Sequence, residues 1–189
     1  MNVRQKWYVV ALTGLVLCAS SILRADETAN KARAVFEANK QAVVTVSLVI
    51  GVSFGGMERE NEMESNGTVI TPEGLTVLAL SAMDPFAVLE SFQDEDHKMV
   101  SKVKSLKIIL ADGSELPAEV VLRDKTLDLA LLRPQVKPEK PMVFVNLESP
   151  GKVQVMDEFV VLGQLGKVTR RAHSVFVDRI EAVVDKPRL

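Results

Sequence analysis

Cysteine, tryptophan and tyrosine occur once each in the 189 residues, as Cys18, Trp7 and Tyr8, and histidine occurs twice, as His97 and His173. A single thiol excludes a disulfide framework and a cysteine-based metal centre, since each needs several. Two histidines are too few for a His-rich zinc site. Positive charge is scarce as well. Residues 1–25 hold Arg4, Lys6 and Arg24 and no acid, so 20 of the 23 basic residues face all 25 acidic ones in the remainder, a net −5. That balance excludes a basic nucleic-acid footprint, which requires clustered cations to neutralise phosphates. No cofactor-binding motif is present, and the length suits one domain with a proper core rather than two large ones.

The first 25 residues read as an address. Met1–Lys6 is a short basic region and Trp7–Leu17 an apolar one interrupted by Thr13 and Gly14, with small residues at Ala19-Ser20-Ser21 and Ala25. This is the layout of a secretory signal peptide over 1–25, cleaved after Ala25 or near Ser20. The apolar stretch falls short of the roughly 20 residues of a spanning helix. The expected product is exported, periplasmic or secreted, with no stable membrane span. It retains no Trp, Tyr or Cys.

Beyond this segment the pattern is mostly β. Asp26–Lys40 is predicted as a short helix with Asp26 as N-cap. Ala42–Phe54 is rich in β-branched residues and is broken by Gly55-Gly56. Met57–Ser65 is charged and is expected to be a solvated loop. Strands are expected at Gly67–Thr71 and Leu75–Leu80, around the turn Pro72-Glu73-Gly74. Asp84–Lys104 reads as an acidic, irregular loop. Asp112-Gly113, between Leu106–Ala111 and Glu115–Arg123, is a hairpin signal, and Leu127–Leu132 is a short buried strand. Pro134, Pro138, Pro141 and Pro150 mark a linker, and strands follow at Glu158–Leu162 and Ser174–Val184. Many short strands at this spacing indicate an antiparallel barrel or sandwich.

Three features could carry chemistry. Gly51-Val52-Ser53-Phe54-Gly55 is formally G-x-S-x-G, and Ser53, Asp128 and His173 follow the chain order of a hydrolase triad. A nucleophile elbow, however, needs a helix after its glycines. Here a charged segment and another strand follow, which favours a plain strand residue. Asp94-Glu95-Asp96-His97 could bind a hard cation weakly but lacks the spacing and Gly of an EF-hand loop, so a solvated loop is favoured. Asp128, between Leu127 and Leu129, is costly to bury without a partner and should be hydrogen-bonded or at a strand end.

Taken together, three segments resemble the trypsin-like serine proteases of the HtrA/Deg type. Asn66–Pro85 (NGTVITPEGLTVLALSAMDP) is similar to the stretch leading to the family's catalytic His. Leu106–Leu132 (LKIILADGSELPAEVVLRDKTLDLALL) resembles the stretch holding its catalytic Asp. Leu147–Gly166, with MDEFVVLG inside it, is similar to the start of the second barrel. The likeness covers most of residues 30–184, with a longer insertion around Asp84–Lys104. It implies a chymotrypsin-type fold with a short N-terminal helix at 26–40, a complete first barrel at 41–134, a linker at 135–152 and the opening strands of an incomplete second barrel at 153–189.

The departures from the family bear on function. Alignment on Gly67, Pro72 and Gly74 puts Ser81 where the family has its general-base His, while Asp128 falls on the triad Asp. The G-x-S-G-G nucleophile motif is absent. A triad serine is weakly nucleophilic until an imidazole takes its proton, and losing either partner costs about 10⁶ in turnover in a worked case. His97 could supply the imidazole only by an unusual fold-back of its loop. The resemblance therefore implies a catalytically inactive homologue without cofactor. The alternatives are a truncated piece of a longer HtrA/Deg-type endopeptidase, or a protein-binding module whose exposed barrel edges pair with a polypeptide or a second copy.

Overall fold

A computed structural model describes residues 27–54, 57–83, 100–148 and 151–184. Residues 1–26, which include the segment expected to be a signal peptide, Gly55-Gly56 and the acidic segment 84–99 with His97 lie outside the described residues. The chain divides into two compact units, Met1–Ala38 and Asn39–Leu189. In the first, a helix (α1) runs from residue 27 towards residue 39. The i,i+4 pair Glu27–Lys31, at 2.7 Å, and the bond from Arg33 to Asn30 lie along it.

The second unit is β. Six strands form a closed antiparallel barrel: β1 (Val43–Phe54), β2 (Met57–Val69), β3 (Thr76–Ala79), β4 (Val100–Ile109), β5 (Glu115–Asp124) and β6 (Leu129–Pro134). Their order around the ring is β1-β2-β3-β6-β5-β4, closed by β4 against β1. A four-residue helix, α2 (Leu80–Met83), follows β3 directly. The hairpin of β7 (Glu158–Gln164) and β8 (His173–Arg179) is a separate two-stranded sheet.

The barrel is organised by β1. Val44, Val46, Leu48 and Ile50 alternate into the core, and Val43, Thr45 and Ser47 on its other face are buried too. Both faces of β1 are covered, so the face opposite the core stays buried even where it is polar, at Thr45 and Ser47. Val69, Leu78, Met83, Leu106, Ile108, Ala118, Ala130 and Leu132 complete the core. Each large side chain sealed there contributes about 1.5–3 kcal/mol of burial.

Two expectations are corrected. Met57–Ser65 is a strand, paired with β1 residue by residue from Phe54–Met57 to Val44–Gly67 and beyond. Glu58, Glu60, Glu62 and Glu64 occur at every second position. The pleat puts them on one face, while Met63 on the other packs against the core. Glu is a poor strand former, but β1 needs a partner for its backbone, and Lys104 pairs with both Glu58 and Glu60 at 2.6 and 2.8 Å. Lys104 reaches them over Gly51, where a Cβ would lie 2.6 Å from its Cε. The second correction concerns residues 100–104, which belong to β4 and pair with β1.

The turns follow their residue types. Gly74 and Gly113 sit at φ +93° and +84°, a region glycine reaches without strain. Asp112 accepts from the Ser114 hydroxyl and N–H, which hold its carboxyl below the usual carboxylate range. The linker residues cross the barrel through the bonds Met142 N–H to Pro72 and Val145 N–H to Val69.

Candidate functional site

The site is built at the junction of β5, β6 and α2. Asp124 closes β5 by accepting the Thr126 and Leu127 N–H groups at 2.9 and 3.0 Å. That Asx turn leads to Asp128, which stands immediately before β6 in the left-handed region, at φ 54°. Aspartate tolerates this conformation better than most residues. β6 then pairs with β3, Leu129 opposite Ala79, which brings the turn beside α2.

There Asp128 acts as a cap from a distant part of the sequence. Its carbonyl accepts the Leu80 N–H at 2.9 Å, and its Oδ1 accepts the Ser81 N–H at 2.7 Å. These are first-turn donors that a helix leaves without internal partners. Oδ2 accepts the Ser81 hydroxyl at 2.7 Å. Both carboxylate oxygens are thus engaged by one residue 47 positions away in sequence. Asp128 and Ser81 are both solvent-exposed. The buried strand expected over 127–132 begins only at Leu129, and Leu127 and Asp128 are exposed, so Asp128 is hydrogen-bonded at a strand end without being buried.

The other candidates lie apart in the topology. Ser53, near the end of β1, is opposite Glu58 of β2 and Val100 of β4. His173 begins β8 opposite Gln164. Burial, and then the Lys40 ammonium, push its imidazole below the ordinary histidine range. His97, Gly55 and the Asp94–Asp96 cluster lie outside the described residues. Among the described residues no group of three or more acidic, His or Cys side chains could hold a metal ion, and no helix is long and apolar enough to cross a membrane.

A groove of about 540 Å³ lies between β4 and β5. These strands pair only from Lys107–Pro117 to Ile109–Glu115 and then separate. Irregularities at Val49/Ile50 against β4 and at Val120/Leu122 in β5 bend both strands where the gap opens. Neither Ser81 nor Asp128 lines it.

A polar seam joins the β7–β8 hairpin to the barrel, and nothing in the sequence announced it. The Thr45 hydroxyl donates to Gln164 at 2.7 Å, the Gln164 N–H donates to Asn66 at 3.2 Å, and Arg171 pairs with Glu64. These partners are 119, 98 and 107 residues apart, with no local pattern linking them.

Chemically, the Asp128–Ser81 pair can orient a hydroxyl and cap a helix. It contains no imidazole to accept a proton near neutral pH. Comparison of the chain with family models and with curated proteins returns no match.

Proposed function

We propose that the chain is an exported, non-catalytic homologue of the HtrA/Deg-type trypsin-like serine proteases, acting by binding polypeptide rather than cleaving it. The observation that carries this reading is the closed Asp128–Ser81 pair. Ser81 stands at the position the resemblance assigns to the general base, and its N–H and hydroxyl occupy both oxygens of the carboxylate that would orient an imidazole. The closed six-stranded barrel and the β7–β8 hairpin after it agree with a complete first barrel and the opening strands of a second.

In a triad the aspartate fixes the imidazole and the imidazole activates the serine. A serine in the imidazole's place leaves the first step without a proton acceptor. The test is hydrolysis of casein and of fluorogenic peptides by the purified full chain, beside an Asp128→Ala variant. The expected result is no turnover above the buffer background in either. Turnover abolished by Asp128→Ala would overturn the reading.

A further inference from the structure

The barrel is joined at β4 and β5 by a short ladder, Lys107–Pro117 to Ile109–Glu115, and beyond it lies the groove of about 540 Å³. The orientation of its β5 wall can be read from neighbouring bonds. Gln135 N–H donates to the Pro117 carbonyl on the β6 side, and Leu110 N–H donates to Ser114 across the β4–β5 hairpin. Alternation then turns the backbone groups of Pro117 and Glu119 towards β6, and those of Ala118 and Val120 towards β4. The ladder to β4 has ended before Val120, so among the described residues its N–H and C=O have no strand partner. A strand edge in this state is a template for a further strand.

The side chains around the gap are patterned too. Leu106 and Ala118 are buried, and Val103 and Val120 pack partly buried against the core, which gives the groove an apolar floor. Arg123 lines the same wall beyond Val120. It lies opposite Ala130 of the core, and directly opposed residues share a face, so an exposed cation stands on the face that carries the core. The other charged groups of the lining are engaged, Lys104 with Glu58 and Glu60, Lys107 with Glu115 and Glu119 with Arg133. Asp124, the next residue, lies opposite Leu129 and accepts the Thr126 and Leu127 N–H groups. Among the described residues Arg123 has no ion-pair partner.

These features select one kind of occupant. A lone cation beside groups already paired gives a polyanion too few contacts. Main-chain groups open at strand spacing are matched by another extended main chain, whose alternate side chains meet the floor. The remaining guanidinium is matched by a carboxylate. We propose that an extended polypeptide segment adds to β5 in this gap, antiparallel, with apolar side chains over Ala118 and Val120 and a carboxylate on Arg123. The residue facing Val120 exchanges both backbone bonds with it and shares its face, so the segment needs apolar residues at alternate positions and an acid beyond them. The inference rests on the polypeptide-binding reading above and names its site, in which the Ser81–Asp128 pair takes no part.

Two fluorescein-labelled peptides test it by anisotropy with the full chain: Glu-Thr-Val-Thr-Val-Thr-Glu, and the same sequence with Lys for Glu. The Glu peptide should bind, and its Lys counterpart about ten-fold more weakly. Arg123→Glu should reverse that preference, which a loss of fold would not do. Methylation of the two Val amides should abolish binding, because one of them donates to the Val120 carbonyl in this register. Asp94→Asn, Glu95→Gln and Asp96→Asn together should leave the affinity unchanged. A gain would mean that the chain's own acidic run fills the gap, and overturns the inference. So does binding of neither peptide, or self-association of the chain alone that Arg123→Glu abolishes in sedimentation equilibrium. Binding of the Glu peptide that survives Arg123→Glu or Val methylation overturns the site and leaves the polypeptide-binding reading standing. Cleavage of the peptide overturns that reading, and the inference with it.

Discussion

Asp128→Ala removes a carboxylate that accepts two bonds from Ser81, each at 2.7 Å. Both groups reach solvent, so each bond is set at the low end of the usual range, roughly 0.5–1 kcal/mol. The same change leaves an alanine at φ 54°. That residue lacks the aspartate's local compensation in the left-handed region, which adds about 1 kcal/mol. The expected loss is therefore about 2–3 kcal/mol. Asp128→Asn keeps an acceptor for the Ser81 N–H and the tolerance of positive φ, and should cost less than about 1 kcal/mol. Ser81→Ala removes only the hydroxyl bond, again roughly 0.5–1 kcal/mol. The assay is urea unfolding of all three variants and the Asp128→Ala/Ser81→Ala double variant, with slopes compared to confirm that midpoints report stability. In the double variant the serine change should cost nothing further, because its acceptor is already gone. The reasoning is refuted if Asp128→Ala is no worse than Ser81→Ala, or if the two changes add fully.

Two further outcomes follow from the packing and the charges. Gly67→Ala should destabilise by about 1–3 kcal/mol in the same assay, because its Cβ would lie 2.6 Å from Thr76 Cγ2 and 3.0 Å from Val46 Cγ2, both fully buried. His173 binds its proton less readily in the folded chain than in the unfolded one, through burial and the Lys40 charge. Stability should hold above the ordinary value of 6.5 and fall as pH drops through it, levelling off below the depressed folded value. His173→Gln should flatten that part of a urea-midpoint profile.

Much of the barrel was legible where local chemistry and fold agree. Asp112-Gly113 marked a hairpin, Pro72–Gly74 a turn, and the β-branched run after Gln41 a strand. The charged strand β2 was hidden by composition, although its Glu residues kept the period of two that places them on one face. The start of β4 was hidden by the acidic segment before it. For the site, the demand that Asp128 be bonded or at a strand end came from the cost of an isolated carboxylate. Its service as a cap for α2 did not, because the donors belong to an element 47 residues earlier. The seam of Thr45, Asn66, Glu64, Gln164 and Arg171 was invisible for the same reason.

The charged face of β2 also bears on how the barrel is reached. β1 combines high strand propensity with no charge, the signature of a segment that pairs indiscriminately when exposed. Its two edges are satisfied at very different sequence distances. β2 follows after Gly55-Gly56, whereas the β4 partners lie 47 residues away at Ser53–Val100 and 64 at Thr45–Ile109. Ring closure is therefore the late, slow contact. Until it forms, β2 with its row of glutamates shields one edge and keeps the hairpin soluble. A strand that looks like a loop in composition thus serves as a gatekeeper for the aggregation-prone stretch of β1.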